Sequence, residues 1–450
     1  LEKELYIFAM PSLQEIYSFD GTERVNAELE TPDRYSHLIK ALSGGRFIAR
    51  GTGSSYVLAS AHESSCSVSS RFFDRILHVD AKNRKITVEP GIQLGSLLRF
   101  LASMKLWLPA VPGHPSISVG GCVAFNVHGK GQFRTGYFGD YVDELVVFHP
   151  TYGEQCCSTR QNPKLFDLTI GGMGLTGFIT QVTLRLVPLT GNAIQRTRVP
   201  VESMEQAIET LLSSAEKHEQ VFSWHKLGGA ANGAFAPGYI YQEDVVQGKY
   251  FGLKALAPDT LVFPPRTSLV DRGIGLLRNQ IPFVYQMSER LKPETEVFDL
   301  LRGTFPIYGK EIYHRFFNDG LLEYQVIIPH QNVASFIAEL EDHVLEHGPR
   351  VSLCSLKVFQ GEGKYLNFSR SGICFAMDVP NHPNEHAFFE FLDRLSMACG
   401  GIQNISKDSR LSVETVRATY AARYDDFKTA LFKYDPKRLC QSAVSERLDL

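Results

Sequence analysis

Little in this 450-residue chain points to a special environment. Its eight cysteines lie at 66, 122, 156, 157, 354, 374, 399 and 440, with no C-x-x-C pair and no zinc-ligand spacing. That pattern excludes a disulfide framework and a zinc ribbon, and it fits reduced thiols. Adjacent cysteines form only strained disulfides, so Cys156 and Cys157 read as two thiols. No apolar run reaches the length of a membrane span, and the opening LEKELYIFAM lacks the basic-then-apolar pattern of a signal peptide. A net charge of −3 offers no basic surface for nucleic acid. The expectation is a cytoplasmic protein. Hydrophobic residues at 44% and charged ones at 21% are those of a globular chain, long enough for two or three domains.

Glycine, by contrast, is concentrated. Val111–Gly139 holds glycines at 113, 120, 121, 129, 131, 136 and 139, with His128 and Lys130 among them. Glycine costs backbone entropy, so a dense run needs a reason. The segment reads as loop and short turns: either an ordinary surface loop or a backbone brought against a large ligand. A second run, Gly51-Thr-Gly-Ser-Ser-Tyr56, follows a short strand at Arg46–Arg50 and offers N–H and hydroxyl groups as a candidate phosphate cradle. A third, Gly172-Met-Gly-Leu-Thr-Gly177, spells G-x-G-x-x-G, but the alternating stretch Phe178–Pro188 that follows predicts a strand. A dinucleotide fingerprint must open a helix, so this match is rejected.

Periodicity supplies the elements. A helix is predicted over 31–43, with Thr31 as N-cap, Pro32 in its first turn and Tyr35, Leu38, Ile39 and Leu42 inward. A hairpin follows at 75–91, then a helix burying Leu94, Leu97, Leu98 and Leu101, then a strand pair at 143–148 and 155–159. Beyond Thr190 the pattern changes. A strand at 196–201, a helix at 203–218 with Met204, Ile208, Leu211 and Leu212 inward, and a strand at 221–227 come first. Segments 322–328, 332–347, 351–359, 373–379, 384–399 and 401–405 then read β-α-β-β-α-β, an α+β sheet with helices on one face. Between them Gly228–Lys310 is a long irregular insert. Its LVFPP at 261–265 and its stretch 274–285, with Arg266, Arg272 and Arg278, suit a flap on a membrane surface or a loop covering substrate. His343-Val-Leu-Glu-His347 matches H-x-x-E-H, but with no third ligand it reads as a solvated helix end and no metal is expected. Lys407, in SKDSR, would by itself be a surface lysine. A charge-rich helix at 413–431 and a short terminal one close the chain.

Taken together, GTGSSY, SVGGCVAFNVHGKG and GGMGLTGFITQVTLRLVP resemble the FAD domain of the vanillyl-alcohol-oxidase/PCMH flavoprotein superfamily. ARGTGSSY, LWLPAVPG, VGGCVAFNVHGK, EYQVIIP, LKVFQ, the GG…KDSR stretch at 400–410 and the C-terminal DPKR…S…RLDL extend the resemblance to the decaprenylphosphoryl-β-D-ribose oxidase family. The match covers nearly the whole chain and is weakest in the insert. It implies an α+β protein: a PCMH-type FAD-binding domain over 1–190 completed by 406–450, and a substrate domain over 191–405 built on an antiparallel sheet. FAD would be non-covalent, because Tyr56 stands where many relatives carry a flavin-linking histidine. Cofactor contacts carried over are Arg50, Gly51, Thr52, Gly53, Ser54, Ser55, Tyr56, Pro112, Ser116, Ser118, Gly120, Gly121, Cys122, Asn126, His128, Gly129, Gly174, Gly177, Ile179 and Lys407. Substrate contacts are Tyr56, Lys130, Gln325, Lys357, Phe359, Cys374 and Ala376. Catalysis would rest on Lys407, matching the family's essential lysine, and on His128, either of which could take a hydroxyl proton. One departure stands out: Ala376 occupies the family's pocket-cysteine position, with Cys374 two residues earlier on the same strand face.

The implied reaction is oxidation of the ribose 2-hydroxyl of a polyprenyl-phosphoryl ribose to the 2-keto sugar. A partner short-chain reductase would then complete epimerisation to the arabinose form. An anionic phosphodiester gives Lys130, Lys357 and Lys407 a further use, and a lipid substrate implies peripheral contact with the inner membrane face. The alternatives are a soluble alditol or aldonolactone oxidase on the same fold, and a flavin-fold binding module without turnover.

Overall fold

A computed structural model describes residues 12–230, 233–248, 281–305 and 320–450. Near the start, β1 (Ser12–Tyr17), β2 (Arg24–Glu30), β3 (Phe47–Arg50) and β4 (Cys66–Ser69) form a mixed sheet in the order β1-β2-β4-β3. The predicted hairpin follows as β5 (Ile76–Asp80) and β6 (Lys85–Val88). After β7 (Leu106–Trp107) come β8 (Val142–His149), β9 (Gly153–Ser158), β10 (Phe178–Arg185) and β11 (Val187–Pro188). Strands β5, β6, β10, β8 and β9 make a second, antiparallel sheet in that order, while β11 pairs with β7. The helix Leu94–Ser103 packs Leu94, Leu97, Leu98 and Leu101 into the core of this sheet, as its periodicity predicts.

The rest of the strands share one larger sheet. They are β12 (Ala193–Val201), β13 (Gln220–Ala230), β14 (Gly233–Val246), β15 (Thr295–Asp299), β16 (Leu321–Ile328), β17 (Leu353–Phe359), β18 (Gly372–Pro380) and β19 (Ile402–Gln403). Their order is β15-β12-β14-β13-β17-β18-β16-β19, with every neighbouring pair antiparallel. Side chains alternate across a strand, so each strand divides its residues between two faces. One face takes Leu322, Tyr324, Val326, Leu356, Val358, Phe375 and Met377 into a core with the helices Met204–Ala215, Val333–His347 and His386–Ala398. The other face carries the polar residues described below.

Several boundaries differ from expectation, each for a local reason. The first helix runs Tyr35–Leu42, not from Thr31. Arg34 is its N-cap, and Asp33 holds the His37 imidazole at 2.8 Å from outside the first turn. Its buried stripe is Leu38, Ala41 and Leu42, which leaves Ile39 exposed. Leu212 is likewise exposed at the edge of its helix. Within the glycine-rich stretch, where no helix fits by pattern, Val119–Ala124 is helical, its first turn closed by the Ser118 hydroxyl accepting from the Gly121 N–H. The charge-rich C-terminal helix is two, Val413–Tyr420 and Ala422–Tyr434, parted at Ala421 with φ 48°. The insert is less irregular than its sequence: β14, β15 and the helices Ile281–Arg290 and Leu300–Thr304 lie in it. LVFPP, Arg266, Arg272 and Arg278 fall outside the described residues. All eight cysteines are free thiols, and among the described residues no helix is long and apolar enough to cross a membrane.

Tyr324 shows what secures the larger sheet. Its ring is fully buried, and its hydroxyl meets the Leu392 carbonyl at 2.9 Å, Ser396 Oγ at 2.8 Å and Gln403 Nε2 at 3.0 Å. Tyr324→Phe removes that junction and takes from the buried Ser396 hydroxyl its partner, while Gln403 Nε2 keeps Asp393 at 3.2 Å, so we expect a loss of about 1–3 kcal/mol. A lowered denaturation midpoint at unchanged far-ultraviolet circular dichroism is the measurement.

Candidate active site

A cleft of about 390 Å³ lies between the glycine-rich loops and the open face of the larger sheet. Its first wall is Arg50–Tyr56, running out of β3. The second is Pro112–Gly113 and Ser118–Lys130, around the short helix. These walls touch. A Cβ added at Gly51 would sit 2.2 Å from Ser118 Oγ and 3.3 Å from its Cβ, so a larger residue must displace the hydroxyl that caps the short helix. Gly177, at φ +130°, admits the Phe148 carbonyl, which a Cβ there would meet at 2.4 Å. The backbone N–H groups of Thr52, Gly53, Ser54 and Ser55 donate to no other described residue. Successive unspent amide donors beside a cleft form a concavity suited to an anion.

The floor is the sheet, and its register explains which residues reach it. Across β16, β18 and β17, Glu323 faces Asp378 and then Leu353. Two residues on, Gln325 faces Ala376 and then Ser355, and beyond them Ile327 faces Cys374 and then Lys357. Phe222 and Trp224 of the neighbouring β13 continue the floor. Asn404, Ser406 and Lys407, from the turn after β19, close one side.

Charges here are paired unevenly. Lys407 Nζ lies 2.9 Å from Glu323 Oε2 and 3.7 Å from the centroid of the Tyr56 ring. Lys130 Nζ donates to Glu243 Oε2 at 2.6 Å and to the Gly303 carbonyl at 2.8 Å, and Arg196 shares the same carboxylate. The Lys357 ammonium makes no hydrogen bond or ion pair with a described residue. Burial lowers the Lys130 ammonium to about 8, with Glu243 resisting and Arg196 adding to the fall. Burial also holds the His128 imidazole well below its ordinary value, and Lys357 and Lys407 reinforce this. For Glu323, burial alone would raise the carboxyl, but Lys407, then Lys357 and Tyr56, hold it below the usual glutamate range. Tyr56 is pushed far up by burial and by the carboxylates of Glu323 and Asp378.

Most of the residues singled out from sequence meet in this cleft. Arg50 through Tyr56, Pro112, Ser118, Gly120, Gly121, Asn126, His128, Gly129, Lys130, Gly174, Gly177, Ile179, Gln325, Lys357, Ala376 and Lys407 all line it. Four do not. Ser116 is buried behind the wall. Cys122 points into the core of the second sheet, on the inner side of its helix. Phe359 is buried edge-on against the His128 ring at 4.8 Å, so it supports His128 without reaching the cleft. Cys374 shares the face of Ala376 but is covered by the packing around Ile327 and the C-terminal helices. Burial pushes its thiol up to about 12. Lys407 is no surface lysine. Sequence reasoning missed Glu323, Asp378 and Ser355, although the signal was present: each lies two residues from an assigned floor residue on an alternating strand.

Two other clusters are structural. His343 and His347 stack at 4.2 Å, with His343 also on Phe391 at 3.8 Å, and they join no metal-ligand group among the described residues. His149, Asp435 and Cys440 are buried with ligand-type atoms within 4.8 Å of one another. There, however, His149 Nδ1 accepts the Thr151 N–H at 3.2 Å, so Nε2 keeps its proton and faces Asp435 Oδ1 at 3.6 Å. A metal on Nε2 would need that proton moved to Nδ1, against an N–H donor.

Residues 27–155 match the FAD binding domain family. With the cleft as built, this defines a flavoprotein of the PCMH type, a FAD-dependent oxidoreductase acting on CH–OH groups. Over 430 residues the chain is 27% identical to the decaprenylphosphoryl-beta-D-ribose oxidase of Mycolicibacterium smegmatis, covering 91% of each chain. It is 31% identical over 143 residues to a D-lactate dehydrogenase of Anaerostipes hadrus, covering 31% of this chain and 30% of that one. With L-gulonolactone oxidase 5 of Arabidopsis thaliana it shares 28% over 160 residues, covering 34% and 26%. The resemblance read from the motifs therefore holds along nearly the whole chain. The open amides at 52–55, the close glycine walls and the cleft between loops and sheet fit FAD. Gly51→Val should part the walls, and we expect purified variant to lose most of its flavin absorbance per chain while keeping its helical circular dichroism.

Proposed function

We propose that the protein oxidises the ribose 2-hydroxyl of a polyprenyl-phosphoryl ribose to the ketone, the first half of an epimerisation whose second half belongs to a partner short-chain reductase. The observation that carries this reading is the 27% identity to the mycolicibacterial oxidase across 91% of both chains. Bound FAD would supply the two-electron acceptor that oxidation of a CH–OH group requires. The loops at 51–55 and 118–121 would hold its pyrophosphate, and Tyr56, His128 and Lys407 would border its ring without a covalent bond. Lys357, whose ammonium has no hydrogen-bond or ion-pair partner among the described residues, suits the substrate phosphate. Lys130 is committed to Glu243 and shapes the wall. Peripheral contact with the inner membrane face would follow from the lipid tail.

A soluble alditol or aldonolactone oxidase is the second reading. It is favoured by the carboxylates Glu323 and Asp378 side by side on the floor, which suit the hydroxyls of an uncharged polyol.

Acid precipitation should release FAD from yellow protein, and a colourless preparation would remove both readings. Anaerobic bleaching by polyprenyl-phosphoryl ribose, but not by xylitol or gulonolactone, is the expected result; the reverse selects the second reading. Lys407→Ala should cost about 10²–10³-fold in turnover, the scale of losing one fixed charge at an oxygen that gains charge. Lys357→Ala should raise KM about tenfold or more for the phosphorylated substrate, the scale of a lost charge-assisted hydrogen bond, and leave any xylitol turnover unchanged.

A further inference from the structure

Neither residue expected to take the substrate's hydroxyl proton is placed to do so. The Lys407 ammonium is spent on Glu323 at 2.9 Å and on the Tyr56 ring at 3.7 Å. A lysine so engaged has no lone pair to offer. His128 is packed against Phe359 and Phe368 and faces Lys357 and Lys407. Protonating it would put a third cation beside two. Glu323 has the opposite setting: it is anionic, lines the cleft beside Gln325 and Ala376, and keeps 13% of its side chain exposed.

We propose that Glu323 is the base of this site, its carboxylate taking the proton of the hydroxyl being oxidised while Lys407 orients it and steadies the oxygen as the O–H bond breaks. This rests on the CH–OH oxidation described above. The carbon would give up its hydrogen with two electrons, and bound FAD would supply the two-electron acceptor that this oxidation needs. The O–H electron pair becomes the second bond of C=O, and the proton goes to a carboxylate oxygen of Glu323. Every element around that carboxylate contributes a charge or a titratable group. Lys407 comes from the turn after β19, Lys357 from β17, Asp378 and Cys374 from β18, and Tyr56 and His128 from the glycine loops. Asp378, directly opposite in the register, is a like charge beside it, and Lys407 and Lys357 are the cations that hold Glu323 ionised.

The test uses Glu323→Gln and Glu323→Asp holoenzymes, each checked first for flavin content. With the sugar that bleaches the wild type, Glu323→Gln should lose about 10²–10⁴-fold in kcat, the range of a missing general base. The wild-type pH profile should stay flat from neutrality to below the ordinary glutamate range and then fall, and Glu323→Gln should lack that acid limb. A second readout needs no substrate. Acetic anhydride at fixed neutral pH, read by peptide mass spectrometry, should label Lys407 several-fold faster in Glu323→Gln, where its ion pair is gone. Turnover within about threefold of wild type with the acid limb intact would overturn the proposal, since a base contributes far more than that. Unchanged labelling would overturn it too. Should Glu323→Gln not hold flavin, Glu323→Asp decides: a displaced acid limb supports the assignment and an unmoved one refutes it. If no sugar reduces the wild-type flavin, the proposed substrate fails while the labelling still judges the Lys407–Glu323 pair.

Discussion

One ammonium group joins three distant parts of this chain. Lys407 leaves the turn after β19, crosses the cleft and rests between the face of Tyr56 and the carboxylate of Glu323. Tyr56 belongs to the first glycine loop and Glu323 to the larger sheet. Neither the loop nor the sheet is a site alone; the same cation meets both across the cleft. A cation over an aromatic face gains on the order of 1–2 kcal/mol once desolvated. A largely buried ion pair can cost more in lost hydration than it returns. Such a pair earns its place through chemistry rather than through stability.

The arrangement also shows that the cleft is no simple cationic funnel. Lys130 is paired with Glu243 and Lys407 with Glu323, while Lys357 and Asp378 add a further cation and a further carboxylate to the lining. Field lines between opposite charges at such separations are local and weakly screened. A hydroxyl on the floor meets donor and acceptor within one side chain of each other, while an anion finds an unspent ammonium at Lys357. Selectivity then depends on where along the floor the phosphate or its absence falls, not on net charge.

Much of this was legible in the sequence, and the reasons are specific. The helix at 94–103 and the hairpin at 76–88 followed from spacing alone, because their apolar stripes each meet a single core. The helices at 204–215, 333–347 and 386–398 did so for the same reason. The rejection of a dinucleotide fingerprint at 172–177 was sound, since β10 follows it directly. What escaped was of two kinds. The helix at 119–124 is short and contains two glycines, so propensity argues against it, and the Ser118 cap is what makes it possible. Lys407 looked like a surface residue because its partners, Tyr56 and Glu323, are 351 and 84 positions away, and no local pattern can report a contact at such separation. Motif resemblance supplied Lys407; only the strand register supplies Glu323 and Asp378.

The placement of residues 439–441 has a consequence for how the fold is completed. The Phe47 N–H donates to the Leu439 carbonyl at 2.8 Å, and its carbonyl accepts from the Gln441 N–H at 3.1 Å, so residues 439–441 lie along β3, the strand that feeds the first glycine loop. A segment that follows the larger sheet in the chain therefore borders a strand that precedes it. Pairings of such long range are slow to form, because the loop between them must be closed before they return any energy. A nascent chain carries β3 without this neighbour until residues 439–441 have emerged, so the strand that feeds the glycine cradle gains its flanking segment only after the whole larger sheet has been synthesised.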